Sequence, residues 1–116
     1  MAEALTRHYL GERVEAGSAG LAPLGYIPSF TLQALNEAGI STDGLYSKGL
    51  GEVELGSIDC LVSLVEFSVE PFIPGHFSGK IVSCPVRDPF GQDIESYRAI
   101  RDTIERLVRQ KLPELI

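Results

Sequence analysis

The sequence contains no tryptophan, one methionine and only two cysteines, Cys60 and Cys84. Two cysteines are too few for the disulfide framework of a small secreted protein or for a zinc cluster. They fit a reducing compartment, so we expect a cytoplasmic protein. Both cysteines fall within apolar runs, and we expect them to be core residues rather than redox groups.

Positive charge is also scarce, since ten Lys and Arg stand against sixteen Asp and Glu, for a net charge of −6. Binding to a nucleic-acid backbone requires a basic footprint, so no nucleic-acid partner is expected. Apolar runs are short, as in Cys60 to Val65, whereas a membrane-spanning helix needs about 20 apolar residues. No membrane partner is therefore expected, and no signal pattern opens the chain.

The 116 residues, of which 44% are hydrophobic and 22% charged, have the composition of an ordinary globular domain. This length is enough to bury a core without disulfides or metals. It is too short for two domains, so residues 1–116 are interpreted as a single domain.

Three segments have helical patterns. Good helix formers predict a first helix from Ala2 to Leu10, ended by Gly11. Ser29 or Thr31 is expected to cap a second helix, which ends at Gly39. The third and clearest segment has apolar residues at spacings of three and four between Ile94 and Leu112.

Strands are predicted at Arg13–Ser18, Ile58–Val65 and Ile81–Val86. The second and third are almost continuously apolar, which is typical of strands buried on both faces of a parallel sheet. The segment from Ser41 to Gly56 is rich in glycine and predicts a loop with at most one helical turn. This order of helices and strands indicates an α/β fold.

Asp88-Pro89-Phe90-Gly91 is the most informative tetrapeptide, because it follows a predicted strand and precedes the long helix. Open α/β sheets place their chemistry at the carboxyl ends of strands. The residue types alone leave two interpretations open, a turn with a helix-flanking acid or a catalytic acid. The two histidines, His8 and His76, have no carboxylate or cysteine at ligand spacing, so no metal and no cofactor are expected.

Taken in order, a set of short motifs along the whole chain resembles the low-molecular-weight protein tyrosine phosphatase family, whose fold is shared by thioredoxin-coupled arsenate reductases. The motifs are Met1-Ala2-Glu3-Ala4, Ser18-Ala19-Gly20, Ala38-Gly39-Ile40, Ser47-Lys48, Ile58-Asp59, Asp88-Pro89-Phe90-Gly91, Tyr97-Arg98 and Arg101-Asp102. The resemblance implies a flavodoxin-like three-layer α/β sandwich with a small, four-stranded parallel sheet.

The resemblance also implies a hydrolase that acts on phosphorylated proteins. In the family the thiolate of a Cys-x5-Arg loop attacks phosphorus, and a distant Asp protonates the leaving oxygen. Asp88 matches that general acid, a role that needs a carboxyl group kept protonated until the bond breaks. Phe90 matches a position that lines the mouth of the substrate site.

The sequence departs from the family pattern at the nucleophile. The residue six positions after Cys60 is Glu66, and the residue six positions after Cys84 is Phe90, so no Cys-x5-Arg is present. We therefore expect residues 1–116 to be an N-terminally truncated domain that lacks the first, interior strand and the nucleophile loop. Such a chain is expected to be inactive by itself, and it could self-associate through the vacated sheet.

Two alternatives remain open at this point. One is a non-enzymatic binding or regulatory remnant of the fold. The other is an arsenate reductase-like protein, although those enzymes need a cysteine pair after the strand that corresponds to Ile58–Val65. The sequence there reads Val65-Glu66-Phe67-Ser68, which has no cysteine.

Overall fold

The computed structural model describes residues 1–116 and contains three α-helices and a two-stranded sheet. Helix α1 spans Ala2–Leu10, with the bounds that the sequence predicts. Helix α2 spans Ser29–Glu37, and its first free N–H groups, on Thr31 and Leu32, donate to the carbonyl of Pro28 rather than to a side-chain cap. The expected capping by Ser29 or Thr31 is therefore wrong.

Gly39 ends the α2 segment as predicted. Its φ of 74° lies in the left-handed region, which glycine adopts without a steric cost. The chain can therefore turn back so that the N–H of Ile40 donates to the carbonyl of Leu35 at 3.0 Å. Ile40 is buried at this point and joins the core.

Helix α3 spans Ile94–Arg106 and continues through a π-helical turn, Leu107–Lys111, into a short 3₁₀ turn, Leu112–Glu114. This confirms the long apolar stripe of the sequence. Arg98 and Arg101 on α3 hold the C-terminal end of α2. Arg98 donates from Nε and Nη2 to both carboxylate oxygens of Glu37, and Arg101 Nη1 donates to the carbonyl of Ala34 at 2.8 Å.

The sheet consists of β1, Cys60–Ser63, and β2, Lys80–Ser83, which run parallel with Ser63 opposite Ser83. Pairing extends past the strand ends, since the N–H of Val86 donates to the carbonyl of Leu64 at 2.8 Å. The structure confirms an α/β fold with a small parallel sheet.

Two local predictions are wrong. Residues 13–18 form no strand, and only Gly20 beyond them makes an isolated parallel bridge, with Gly49. The glycine-rich loop contains two 3₁₀ turns, Leu50–Glu52 and Leu55–Ser57, where at most one turn was expected.

The sheet is covered on one face. Val62 and Val86 pack against a core that α1, the end of α2 and the C-terminal helix share. The buried members of this core are Ala4, Leu5, Leu10, Leu35, Ile40, Ile104, Val108 and Leu112. The opposite face is open, since Ile81 is 38% exposed. Burial on both faces was therefore a wrong expectation, because the segment between β1 and β2 forms only one 3₁₀ turn, Glu70–Phe72, and no covering α-helix.

None of the helices is both long enough and apolar enough to cross a membrane.

Candidate functional site

Asp88 lies where the sequence predicts, just beyond the carboxyl end of β2 and ahead of α3. Its Oδ1 accepts a hydrogen bond from the N–H of Phe90 at 3.0 Å. The next turn is closed by the N–H of Gln92, which donates to the carbonyl of Pro89 at 2.9 Å, with Gly91 at a φ of 84°. The tetrapeptide is thus a turn, and this turn fixes the direction of an exposed carboxylate.

A second acid in the same loop has a different task. Asp93 Oδ1 accepts from the N–H of Ser96 at 3.0 Å and from its hydroxyl at 3.1 Å, which caps the first turn of α3. The backbone hydrogen bond from Ser96 is the main reason that the pKa of Asp93 is lowered. Asp93 is therefore held as a structural carboxylate, whereas Asp88 is exposed to solvent beside it.

Aromatic side chains stand near Asp88. Tyr97 is 4% exposed and packs edge-to-face on Phe30 of α2, with 5.5 Å between the ring centroids. Burial raises the pKa of Tyr97, and the nearby charges of Asp88 and Tyr26 raise it further. Phe90 is half exposed on the turn itself. An aromatic wall therefore adjoins the carboxylate that the sequence singles out.

Sequence reasoning finds Asp88 and Phe90 but misses their neighbours. The pattern places Tyr97 in the apolar stripe of α3 and so correctly predicts that it is buried. Periodicity does not tell which residue of the stripe lies near the loop that precedes the helix. Tyr26 and Phe30 come from a distant segment. No local signal in the sequence links this segment to the one that carries Asp88 and Tyr97, because the two come together through the packing of α2 on α3.

The two thiols are free, with Cys84 buried and Cys60 partly buried. Cys60 is the first residue of β1, and Cys84 directly follows β2. The described residues include no group of three or more His, Cys, Asp or Glu side chains that could hold a metal ion.

A buried ion cluster around Glu3 is the second polar feature that sequence reasoning misses. Glu3 is 3% exposed, in the first turn of α1. Its Oε1 accepts from the hydroxyl of Ser18 at 2.6 Å and from Nζ of Lys48 at 3.2 Å, and its Oε2 lies 2.7 Å from Nη2 of Arg7. Burial alone would raise the pKa of Glu3, but the hydrogen bonds from Ser18 and Lys48 and the charges of Lys48 and Arg7 together lower it.

This cluster joins α1 to two loops. The N–H of Gly20 donates to the carbonyl of Lys48 at 2.9 Å, so the loops that carry Ser18 and Lys48 are also paired through their backbones. Lys48 Nζ lies 4.2 Å from the centre of the Tyr46 ring. Glu3 thus sits where the start of α1 and both loops meet.

A family model described as low molecular weight phosphotyrosine protein phosphatase matches residues 1–116. The chain belongs to this family. Curated relatives include an arsenate reductase of Bacillus cereus that is 33% identical over 112 residues, covering 94% of this chain and 81% of the relative. Another B. cereus protein, arsenate reductase 2, is 32% identical over 112 residues, covering 94% of this chain and 81% of the relative.

Solved structures agree on the fold. The YwlE arginine phosphatase, solved as a mutant with a phosphorylated active-site serine, is 27% identical with a TM-score of 0.82, covering 98% of this chain and 85% of that one. An arsenate reductase from Archaeoglobus fulgidus is 24% identical with a TM-score of 0.83, covering 97% of this chain and 87% of that one. These matches confirm the family and its flavodoxin-like α/β fold, but none of them shows that the protein lacks a strand or a nucleophile loop.

Proposed function

We propose that this chain carries the general-acid part of a site that hydrolyses phosphate monoesters on protein side chains. The observation that carries the proposal is the exposed Asp88 carboxylate, which is fixed by the N–H of Phe90 at the carboxyl end of β2. In this role Asp88 starts as the protonated carboxylic acid, gives its proton to the leaving oxygen as the phosphorus–oxygen bond breaks, and is left as a carboxylate. The same carboxylate then takes a proton from the water that hydrolyses the phosphocysteine.

Phe90 and the neighbouring aromatic wall supply the binding side of the proposal. Phe90 is half exposed, so its ring is free to contact a substrate side chain. Tyr97, the buried member of this wall, packs on Phe30, and this packing gives this side of the site a rigid support. A phosphorylated side chain would therefore lie against the aromatic residues with its leaving oxygen toward Asp88.

The nucleophile is absent from these 116 residues, because neither Cys60 nor Cys84 is followed by Arg at the sixth position. We therefore expect the 116-residue chain to show no turnover of p-nitrophenyl phosphate above the blank. Turnover by this chain that Asp88→Ala abolishes would contradict the expectation that hydrolysis needs a Cys-x5-Arg nucleophile.

The role of Asp88 is tested by supplying a nucleophile loop. In a chimera, a strand and a Cys-x5-Arg loop of the family pattern are joined ahead of Met1. Asp88→Asn should lower p-nitrophenyl phosphate turnover in this chimera by about 10²- to 10⁴-fold, the usual contribution of a general acid.

Asp93→Asn is the matched control, because it removes a carboxylate from the same loop while keeping a side chain that caps helices well. Its turnover should stay near that of the parent chimera. Equal effects of the two substitutions, or turnover that is indifferent to Asp88→Asn, would remove the proposed role.

Arsenate reduction is the second candidate, favoured by the names of the curated relatives. The segment after β1 reads Val65-Glu66-Phe67-Ser68 and offers no cysteine for a disulfide relay. The same chimera separates the two functions. Arsenate turnover dependent on thioredoxin, without phosphatase turnover, would favour the reductase.

A third candidate is a binding role through the sheet, because β1 has β2 as its one hydrogen-bonded partner strand. A second copy could pair with the other edge of β1, since unpaired strand edges present free N–H and C=O groups. Sedimentation should then show concentration-dependent self-association of the 116-residue chain. A cooperative monomer at all concentrations would exclude this role.

A further inference from the structure

The open face of the sheet carries a cavity of about 390 Å³ that is separate from the Asp88 turn. Alternate residues of the two strand segments line its floor: Ser63, Val65, Ile81, Ser83 and Pro85. Side chains two positions apart share one face of a strand, and Ser63 pairs with Ser83 in register. The side chain of Ser63 is therefore directed toward this cavity.

Ser63 is one of two residues with a buried side-chain oxygen that makes no hydrogen bond; the other, Oε2 of Glu3, is at least paired with the charge of Arg7. Ser63 is 5% exposed, and its hydroxyl oxygen is buried without a hydrogen-bond partner. A buried hydroxyl without a partner is costly, and native proteins seldom retain one without a reason. A ligand group that donates a hydrogen bond at the base of the cavity would satisfy it.

The charges around the cavity have one sign. Glu66 and Glu70 are its ionisable lining residues, and both are exposed at its rim. Phe67, which is 56% exposed, also lines the cavity and packs edge-to-face on Phe72. No lysine, arginine or histidine lines it. The cavity therefore combines an acidic rim, an aromatic ring and a mainly apolar floor that contains the Ser63 hydroxyl without a hydrogen-bond partner.

We propose that this cavity binds an arginine side chain of a partner polypeptide. An arginine stem is apolar and fits along Val65 and Ile81, while the guanidinium carries five N–H donors for Ser63 and the two carboxylates. The planar guanidinium also stacks on aromatic rings, which suits Phe67 better than a compact ammonium does. The volume lies within the range of about 300–1,000 Å³ that is usual for ligand cavities.

The proposal goes beyond the hydrolytic function and does not depend on it, because none of the cavity residues takes part in the Asp88 turn. A binding measurement therefore tests it without any catalytic readout.

The probe is N-acetyl-L-arginine N-methylamide, titrated into the ¹⁵N-labelled 116-residue chain and followed by NMR. Saturable shifts are expected at the amides of Ser63, Phe67 and Ser83. The citrulline analogue, which has the same shape without the charge, should not shift them. The lysine analogue should bind more weakly, and equal affinity for the two cations would contradict the choice of arginine.

The double variant Glu66→Gln/Glu70→Gln should weaken arginine binding at least about tenfold, because two charge-assisted hydrogen bonds are lost. The matched control is Glu12→Gln/Glu15→Gln, which makes the same change in charge at two exposed positions outside the cavity. This control should bind as the unmodified chain does. Equal weakening in both double variants would reduce the effect to net charge and overturn the site.

Ser63→Ala separates a binding serine from a structural one. Because the hydroxyl has no protein partner, its removal should leave the melting temperature unchanged or raised while weakening arginine binding. Undiminished binding in Ser63→Ala, or the absence of saturable shifts at these amides in the unmodified chain, would overturn the proposal.

Discussion

Glu3 is a charged residue at a position where the helix pattern alone would accept alanine. Its carboxylate is nevertheless buried: Oε1 accepts hydrogen bonds from the hydroxyl of Ser18 and the ammonium of Lys48, and Oε2, which accepts no hydrogen bond, lies 2.7 Å from the guanidinium of Arg7 as an ion pair. Arg7 is half exposed, whereas the side chain of Lys48 is 10% exposed. The carboxylate therefore compensates a cation that has little access to water.

Glu3→Gln should destabilise the chain by about 2–4 kcal/mol, because breaking a buried ion pair leaves a buried charge uncompensated. Glutamine keeps the shape of the side chain, so the loss reports the charge rather than a cavity. Urea unfolding followed by circular dichroism measures the difference. Glu12→Gln, on the exposed segment after α1, should stay within about 0.5 kcal/mol. Similar values for the two variants would contradict this role of Glu3.

At the scale of elements, the approach of residue 79 to the segment before β1 fixes the entry into β2. A Cβ on Gly79 would lie 2.8 Å from the carbonyl oxygen of Ile58 and 2.9 Å from that of Asp59. The N–H of Lys80 also donates to the carbonyl of Asp59 at 2.9 Å. Glycine at position 79 is thus required for the two segments, residues 58–59 and 79–80, to come within hydrogen-bonding distance.

Gly79→Ala should destabilise the chain by about 1–3 kcal/mol, because backbone atoms must move apart to admit the methyl group. The matched control is Gly75→Ala in the same connection, where a Cβ would meet nothing within 4 Å. Thermal unfolding of the two variants measures the difference. A Gly75→Ala chain as unstable as Gly79→Ala would show that the close approach is not the cause.

The elements also show what local patterns can and cannot predict. Helix α1 and the stripe of α3 follow from propensity and spacing, because each is specified by residues a few positions apart. The apolar runs correctly located β1 and β2, but their burial depends on what covers the sheet, and no helix follows β1 to do so. The packing of Phe30 on Tyr97, which lies near Asp88, likewise depends on how α2 packs against α3.

At the scale of the whole molecule, acidic residues exceed basic ones, yet key carboxylates are held ionised by specific partners. Arg98 and Gln33 donate to Glu37, and the hydrogen bond from Arg98 is the main cause that lowers its pKa to about 2, from an ordinary value of 4.5. The pKa of Glu3 is lowered as well. Both groups therefore bind a proton more readily in the unfolded chain than in the folded one.

The free energy of unfolding should consequently decrease as the pH is lowered. A group with a depressed pKa contributes stability that is complete above its unfolded pKa and is lost as the pH falls through its folded pKa. For Glu37 this window runs from about 4.5 down to about 2. The melting temperature should therefore fall steadily as the pH is lowered across that interval.

Glu37→Gln tests which part of this fall belongs to the ion pair between α2 and α3. At pH 7 the variant should be less stable than the unmodified chain, because Arg98 and Arg101 lose their shared carboxylate. The difference should shrink from pH 4.5 toward pH 2, since the unmodified chain then loses the same charge. Raised salt should reduce the difference at pH 7, because Glu37 is partly exposed and its attraction to the arginines is screened. A difference in melting temperature that stays constant from pH 7 to pH 2 would show that Glu37 acts through packing rather than through its charge.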